Sequence, residues 1–272
     1  MTLKETLPTI LVLLATSQLL FLIANADSVF ADVQGLGIEE VHLQAVVAVQ
    51  TYDSAGKPMG YGSGVLLYHY HHEDSVYLLT AWHVLRDRDS VNLYLRQKGK
   101  GFKAVFPNSL PLLDDSLHPL SQMFVPTNGD TVDLALLSLP KSELIQPLKG
   151  FRVLTESKCY FSDSVFAGDR ILAIGFASAD TFSFVNAGYP LALSGIVAYE
   201  SPKYYMIDRH THKGMSGGVL FREFPTLGQY GYNLVGILKG TLKKDENYSF
   251  AVKIDFIDSI SVANTGKTWT GK

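Results

Sequence analysis

A serine among glycines, a histidine after an apolar run and an aspartate before another apolar run stand far apart in this sequence, each with surroundings that suit acyl transfer. Ser216 lies in Gly214-Met-Ser216-Gly-Gly218, His83 in Thr80-Ala-Trp-His83 and Asp133 in Asp133-Leu-Ala-Leu. A serine hydroxyl is a weak nucleophile near neutral pH, so a base must take its proton during attack and later return it to the leaving group. Histidine titrates in the right range for that work. A buried carboxylate fixes the imidazole tautomer and stabilises the imidazolium. Gly214 and the Gly217-Gly218 pair permit a tight turn in which the N–H groups of Gly214 and Ser216 aim at one point, an oxyanion hole. Taken singly, each residue has a plainer reading. A Gly-rich Ser turn occurs in hairpins, a His after a strand is commonly a hydrogen-bonded core residue, and an Asp often opens a strand or turn. Asp130 competes with Asp133, but it follows Gly129 and lacks the apolar strand behind it. The joint order favours His83, Asp133 and Ser216.

In order and in local sequence these segments resemble the chymotrypsin-like (trypsin-like) serine peptidases, and more closely their disulfide-poor bacterial members such as the Deg/HtrA and glutamyl endopeptidase groups. The resemblance is carried by Gly62-Ser-Gly-Val65, Leu78-Leu-Thr-Ala-Trp-His83-Val-Leu, Thr131-Val-Asp133-Leu-Ala-Leu-Leu, His212-Lys-Gly214-Met-Ser216-Gly-Gly218-Val-Leu and Leu234-Val-Gly236-Ile-Leu-Lys-Gly240, and spans residues 44 to 260. His before Asp before Ser is the order of the two-barrel peptidases, not of the subtilisin-like or α/β-hydrolase enzymes. The resemblance implies an all-β fold of two six-stranded Greek-key β-barrels with the active site between them. One barrel would supply His83 and Asp133, the other Ser216. It implies a serine endopeptidase acting on protein or peptide substrates through an acyl-enzyme, with no cofactor and no metal. A non-catalytic binding protein on the same scaffold and a serine esterase are the alternatives. A covalent serine probe separates the first, and turnover of peptides against esters the second.

The chain departs from the family pattern at two points. Lys239 stands where relatives usually carry a small residue near the triad carboxylate; it either pairs with Asp133 or points its stem outward, and the outward reading is preferred. Met215 precedes the serine where Asp or Asn is frequent. The substrate pocket implied by the resemblance falls at His210, Thr211, Lys239 and Gly240. No carboxylate stands at its base, so a preference for Arg or Lys is not expected. His210 either receives an acidic side chain or turns outward, leaving a small apolar pocket, and the latter is slightly favoured.

Such a constellation needs a rigid frame, and the rest of the chain supplies one. Short alternating or apolar runs broken by turn residues cover Gln44–Tyr52, Gly62–Tyr70, Ser75–Thr80, Val91–Arg96, Asp133–Leu139, Arg170–Phe176, Gly195–Tyr199, Tyr204–Ile207, Gly218–Phe221, Asn233–Leu238 and Tyr248–Ile254. Many short strands at such spacing predict a sandwich or barrel. Asp255–Ala263 reads as a short helix, and residues 100–130, with four prolines, as a long surface loop. The Pro- and Gly-bearing stretch 139–150 is a linker candidate. The expected organisation is therefore a targeting segment over 1–31, a first barrel over 40–150, a second over 151–264 and a tail over 265–272.

Residues 6–26 carry no charge and end at Ala24-Asn-Ala26, with Val29-Phe-Ala31 as a second cleavage candidate. This reads as a secretory signal peptide, with a retained membrane anchor as the alternative. The expected location is periplasmic or extracellular. With 47% hydrophobic and 18% charged residues and a net charge of −3, disorder and nucleic-acid binding are disfavoured. The single cysteine, Cys159, excludes an internal disulfide and reads as structural. His69, His71 and His72 invite a metal, but they fit an exposed hairpin tip better.

Overall fold

Strand-forming runs become strands here because each has one or both faces to bury. The structure is a computed structural model, and it describes residues 43, 45–68, 76–97, 101–106, 108–113, 123–124, 132–139, 154–155, 165–177, 190–226, 229–242 and 245–265. The chain divides into two units, Met1–Glu39 and Glu40–Lys272, and every described residue belongs to the second. The expected targeting segment, most of the linker candidate, Asp130, Cys159 and the three neighbouring histidines lie outside the described residues. Among the described residues no helix is long and apolar enough to cross a membrane.

The first half contains β1 (Val46–Tyr52), β2 (Pro58–Tyr68), β3 (Val76–Thr80), the single-turn helix α1 (Trp82–Leu85), β4 (Ser90–Gln97), β5 (Gly101–Ala104), β6 (Leu110–Pro111), β7 (Met123–Phe124), β8 (Ala135–Leu139) and β9 (Leu154–Thr155). The second contains β10 (Arg170–Gly175), β11 (Leu191–Glu200), β12 (Tyr204–Ile207), β13 (Val219–Thr226), β14 (Gln229–Leu242), β15 (Asp245–Lys253) and the helix α2 (Phe256–Thr265). Three strands, β5 to β7, fall in the stretch that reads as loop. Each is two to four residues long, too short to show a period of two.

The two halves share one topology. In the second, β10-β11-β12-β15-β14-β13 closes into a six-stranded barrel. In the first, β5-β4-β1-β2-β3-β8 follows the same cyclic order, with β1 to β5 and β8 standing where β10 to β15 stand. Among the described residues it remains a half-barrel, open between β5 and β8. This is the two-barrel chymotrypsin-like fold.

Burial explains the sequence patterns. β3 is buried at all five positions and β10 at five of six, so both read as continuous apolar runs. β11 has one buried residue although most of its side chains are apolar. The second barrel closes on Ile171, Ala173, Val197, Tyr205, Ile207, Leu220, Val235, Leu238 and Ala251, and Met215 joins them fully buried. A methionine beside the serine is therefore a core residue, worth about 1.5–3 kcal/mol of burial.

Candidate active site

The β3–β8 pairing brings His83 and Asp133 together. The strands run antiparallel with Thr80 opposite Ala135. The chain leaves β3 at its end and enters β8 at its start, so the residues just past Thr80 face those just before Ala135. Ala81 is extended, and α1 then makes one turn, with the Val84 N–H bonded to the Ala81 carbonyl at 3.1 Å. That turn buries Val84 and Leu85 and leaves His83 facing out.

Asp133 holds His83 at two points. The His83 backbone N–H donates to Oδ1 at 2.8 Å. Nδ1 lies 2.6 Å from Oδ2. With Asp133 ionised, Nδ1 carries the proton and Nε2 is left with its lone pair. Burial pushes the Asp133 carboxyl upward, but the hydrogen bond and charge of His83, its backbone N–H and the Lys239 ammonium outweigh burial and hold the carboxyl below its ordinary value.

Ser216 comes from the other barrel, in the turn before β13. Residues 212–215 form a type II turn: the Met215 N–H donates to the His212 carbonyl at 3.0 Å, and Gly214 has φ +93°. Gly217 follows at φ +84°, where a side chain would meet the Ser63 carbonyl and the Thr80 hydroxyl at 2.0 and 2.1 Å. Among the described residues, no group takes the N–H of Gly214 or of Ser216. Both remain available to an anion. The Ser216 hydroxyl donates to the Lys239 carbonyl at 3.1 Å rather than to His83. Gly62 marks where the barrels meet: a side chain there would strike Val84, next to His83, and the Ser216 carbonyl.

One residue that sequence reasoning left without a role is Ser63, in the Gly62-Ser-Gly-Val65 segment. It is fully buried. Its N–H donates to the Ser216 carbonyl at 2.7 Å and its hydroxyl to the Gly214 carbonyl at 2.9 Å. The same hydroxyl accepts from the Phe176 N–H at 2.7 Å, and the Ser63 carbonyl accepts from the Thr80 hydroxyl at 2.6 Å. A polar residue between two glycines in an apolar strand was the available signal.

A cleft beside His83 is lined by His83 and Asp133, by Trp82 and Arg86, and by Tyr204, Lys239, Gly240 and Phe250. Of the residues assigned to the substrate pocket, Lys239 and Gly240 are in it. His210 and Thr211 belong instead to the approach to the Gly214 turn. His210 is exposed and sets its ring edge-on to that of His212, 5.6 Å between centroids. Thr211 is buried, with its N–H and hydroxyl 2.9 and 3.0 Å from the Ser249 hydroxyl. Burial and the neighbouring His210 lower the His212 pKa. The Lys239 ammonium neither pairs with Asp133 nor extends freely into solvent; it sits 5.0 Å over the Tyr204 ring.

Residues 62–224 match the family model described as the trypsin-like peptidase domain. Among solved structures, the serine endoprotease from Yersinia pestis is 21% identical with a TM-score of 0.53, over 83% of this chain and 64% of that one. The MamO protease domain from Magnetospirillum magneticum is 18% identical with a TM-score of 0.52, over 80% of this chain and 96% of that one. The HtrA-type protease AlgW, solved with a tripeptide, is 21% identical with a TM-score of 0.53, over 84% and 62%. The chain thus spans less than two thirds of the length of the first and third. No curated protein sequence matches it.

Proposed function

This chain belongs to the trypsin-like peptidase family, and from that premise we propose that it is a serine endopeptidase acting on proteins or peptides through an acyl-enzyme on Ser216. The observation that carries the reading is the two-point hold of Asp133 on His83, which leaves Nε2 as the free base.

In the proposed reaction the Ser216 hydroxyl leaves the Lys239 carbonyl and hydrogen-bonds to His83 Nε2. Oγ attacks the substrate carbonyl carbon while Nε2 takes the proton. The carbonyl oxygen gains the negative charge and accepts from the N–H groups of Gly214 and Ser216, donors worth about 10²–10³ in rate apiece. Asp133 stays ionised and stabilises the imidazolium without taking its proton. The imidazolium protonates the departing amine, and the C–N bond breaks. Water, deprotonated by the same Nε2, then hydrolyses the ester and restores Ser216.

Purified protein is tested with a fluorophosphonate probe and a mixed peptide library read by mass spectrometry. Labelling of Ser216 and internal cleavage, both lost in Ser216→Ala with the fold intact, support the reading. Undiminished hydrolysis by Ser216→Ala overturns it. Turnover of esters without peptides supports the esterase, and absent labelling supports the non-catalytic scaffold.

The uncharged 6–26 segment and the Ala24-Asn-Ala26 pattern support export as part of the same proposal. N-terminal sequencing of exported protein that begins at Asp27 or Asp32 supports cleavage; a start at Met1 or Thr2 favours a retained anchor.

A further inference from the structure

Between Ile207, the last residue of β12, and the turn that carries Gly214, the chain runs outside the strands of the second barrel. Of residues 208–213, Thr211 alone is buried. Its N–H donates to the Ser249 hydroxyl at 2.9 Å, and the two hydroxyls lie 3.0 Å apart. Ser249 is itself fully buried. It stands in β15 opposite Ile207 of β12 on one side and Thr241 of β14 on the other. A strand paired on both sides within a closed barrel has little freedom, so this hydroxyl is a fixed point. Ser249 also shares a face of β15 with Ala251, a residue of the barrel core. An apolar side chain would serve packing there at least as well. The hydroxyl gains its value from the Thr211 N–H, which would otherwise be buried without this partner.

What this anchor holds lies one residue further on. The His212 carbonyl accepts the Met215 N–H and closes the type II turn. The Gly214 N–H belongs to the central peptide of that turn, the unit whose rotation separates type II from type I. Rotation of that peptide would carry the N–H away from the point it shares with the Ser216 N–H. The Ser63 hydroxyl holds the turn at the Gly214 carbonyl. The Thr211–Ser249 pair holds it at the entry, from a strand of the other barrel. The turn is thus gripped from both halves of the molecule.

We propose that Ser249, acting through Thr211, is a positioning residue for the oxyanion hole, keeping the Gly214 N–H aimed where the substrate oxygen gains its charge. The inference rests on the reading of Ser216 as the nucleophile, and its test keeps the two apart. Wild type is set beside Ser249→Ala, Thr211→Val, Thr211→Ser and the Ser249→Ala, Thr211→Val double variant, each shown by melting curves to be folded at the assay temperature. Ser249→Ala lowers kcat on peptides about ten- to hundredfold with KM little changed. Thr211→Val loses less, because its N–H stays on Ser249, and Thr211→Ser keeps the wild-type rate. The double variant is no slower than Ser249→Ala alone, since both changes break one contact. A peptide boronic acid reports the hole directly. Its boron takes a bond from Ser216 Oγ and becomes a tetrahedral anion as the hydroxyl proton passes to His83. Its affinity falls in Ser249→Ala by the same factor as kcat/KM, while a product peptide binds as before. A folded Ser249→Ala with wild-type kcat, or with lowered kcat and unchanged boronate affinity, overturns this inference alone. If Ser249→Ala does not fold, Thr211→Val against Thr211→Ser decides by the same two readouts. A wild type that fluorophosphonate does not label overturns the peptidase reading and the positioning role with it.

Discussion

The Ser63 hydroxyl donates to the Gly214 carbonyl at 2.9 Å across the seam between the two barrels. Through this bond the first half of the molecule holds the turn that leads into Ser216 in the second. Ser63→Ala leaves two buried backbone groups without this partner, the Gly214 carbonyl and the Phe176 N–H. The expected loss is about 1–3 kcal/mol of stability. Because the Gly214 turn loosens, kcat should also fall about ten- to hundredfold while KM changes little. Thermal unfolding and peptide kinetics on the same preparation check this. A stability loss with kcat unchanged would show that Ser63 only holds the barrels together.

Gly217→Ala should be more damaging. At φ +84° an L side chain is strained, and its Cβ would lie 2.0 Å from the Ser63 carbonyl. The turn must move, taking Ser216 with it. Soluble protein that labels with a fluorophosphonate at the wild-type rate would contradict this.

Asp133→Asn keeps the side-chain shape but offers an amide to Nδ1, which then favours the tautomer protonated at Nε2. The expected loss is about 10⁴ in kcat, with the fold retained. A loss below about tenfold would remove Asp133 from the triad and point to another carboxylate.

Met215 is fully buried in the second barrel. Met215→Ala should cost about 2–5 kcal/mol through the cavity it leaves. Met215→Asp should destabilise further because it buries a charge with no cation assigned to meet it. Chemical denaturation of the two variants tests the order. A stable Met215→Asp protein would reveal a hidden partner.

Stability should fall with acid in two windows. The folded pKa of His212 is lowered, so the folded state binds fewer protons than the unfolded. Its contribution is fully present above the ordinary histidine value of about 6.5 and is lost as pH falls through the lower folded value. Asp133 is likewise lowered. Its contribution is present above about 3.9 and is lost as pH falls through its own folded value. His212→Gln should flatten melting temperature against pH in the first window only, and Asp133→Asn in the second only. A slope just below pH 6.5 that is the same in His212→Gln and wild type would contradict the first assignment.

The strand runs, the order of His83, Asp133 and Ser216, and the glycines around the serine were legible in the sequence because they arise from local needs. Strands show their buried faces as apolar runs, and a turn with positive φ demands glycine at Gly214 and Gly217. The short C-terminal helix was legible for the same reason and appears as Phe256–Thr265. Features set by strand registers and barrel contacts were not legible. No local signal says that Thr80 lies opposite Ala135, and that pairing is what sets Asp133 against His83. Nor does one say that the Ser63 hydroxyl reaches Gly214, a residue 151 positions away. Lys239 shows the division most clearly. The family resemblance, through its position after the Gly236-Ile237 pair, implied that it stands near the carboxylate. Whether its ammonium would meet Asp133, solvent or a ring depended on Tyr204, which β12 brings in from a distant part of the chain.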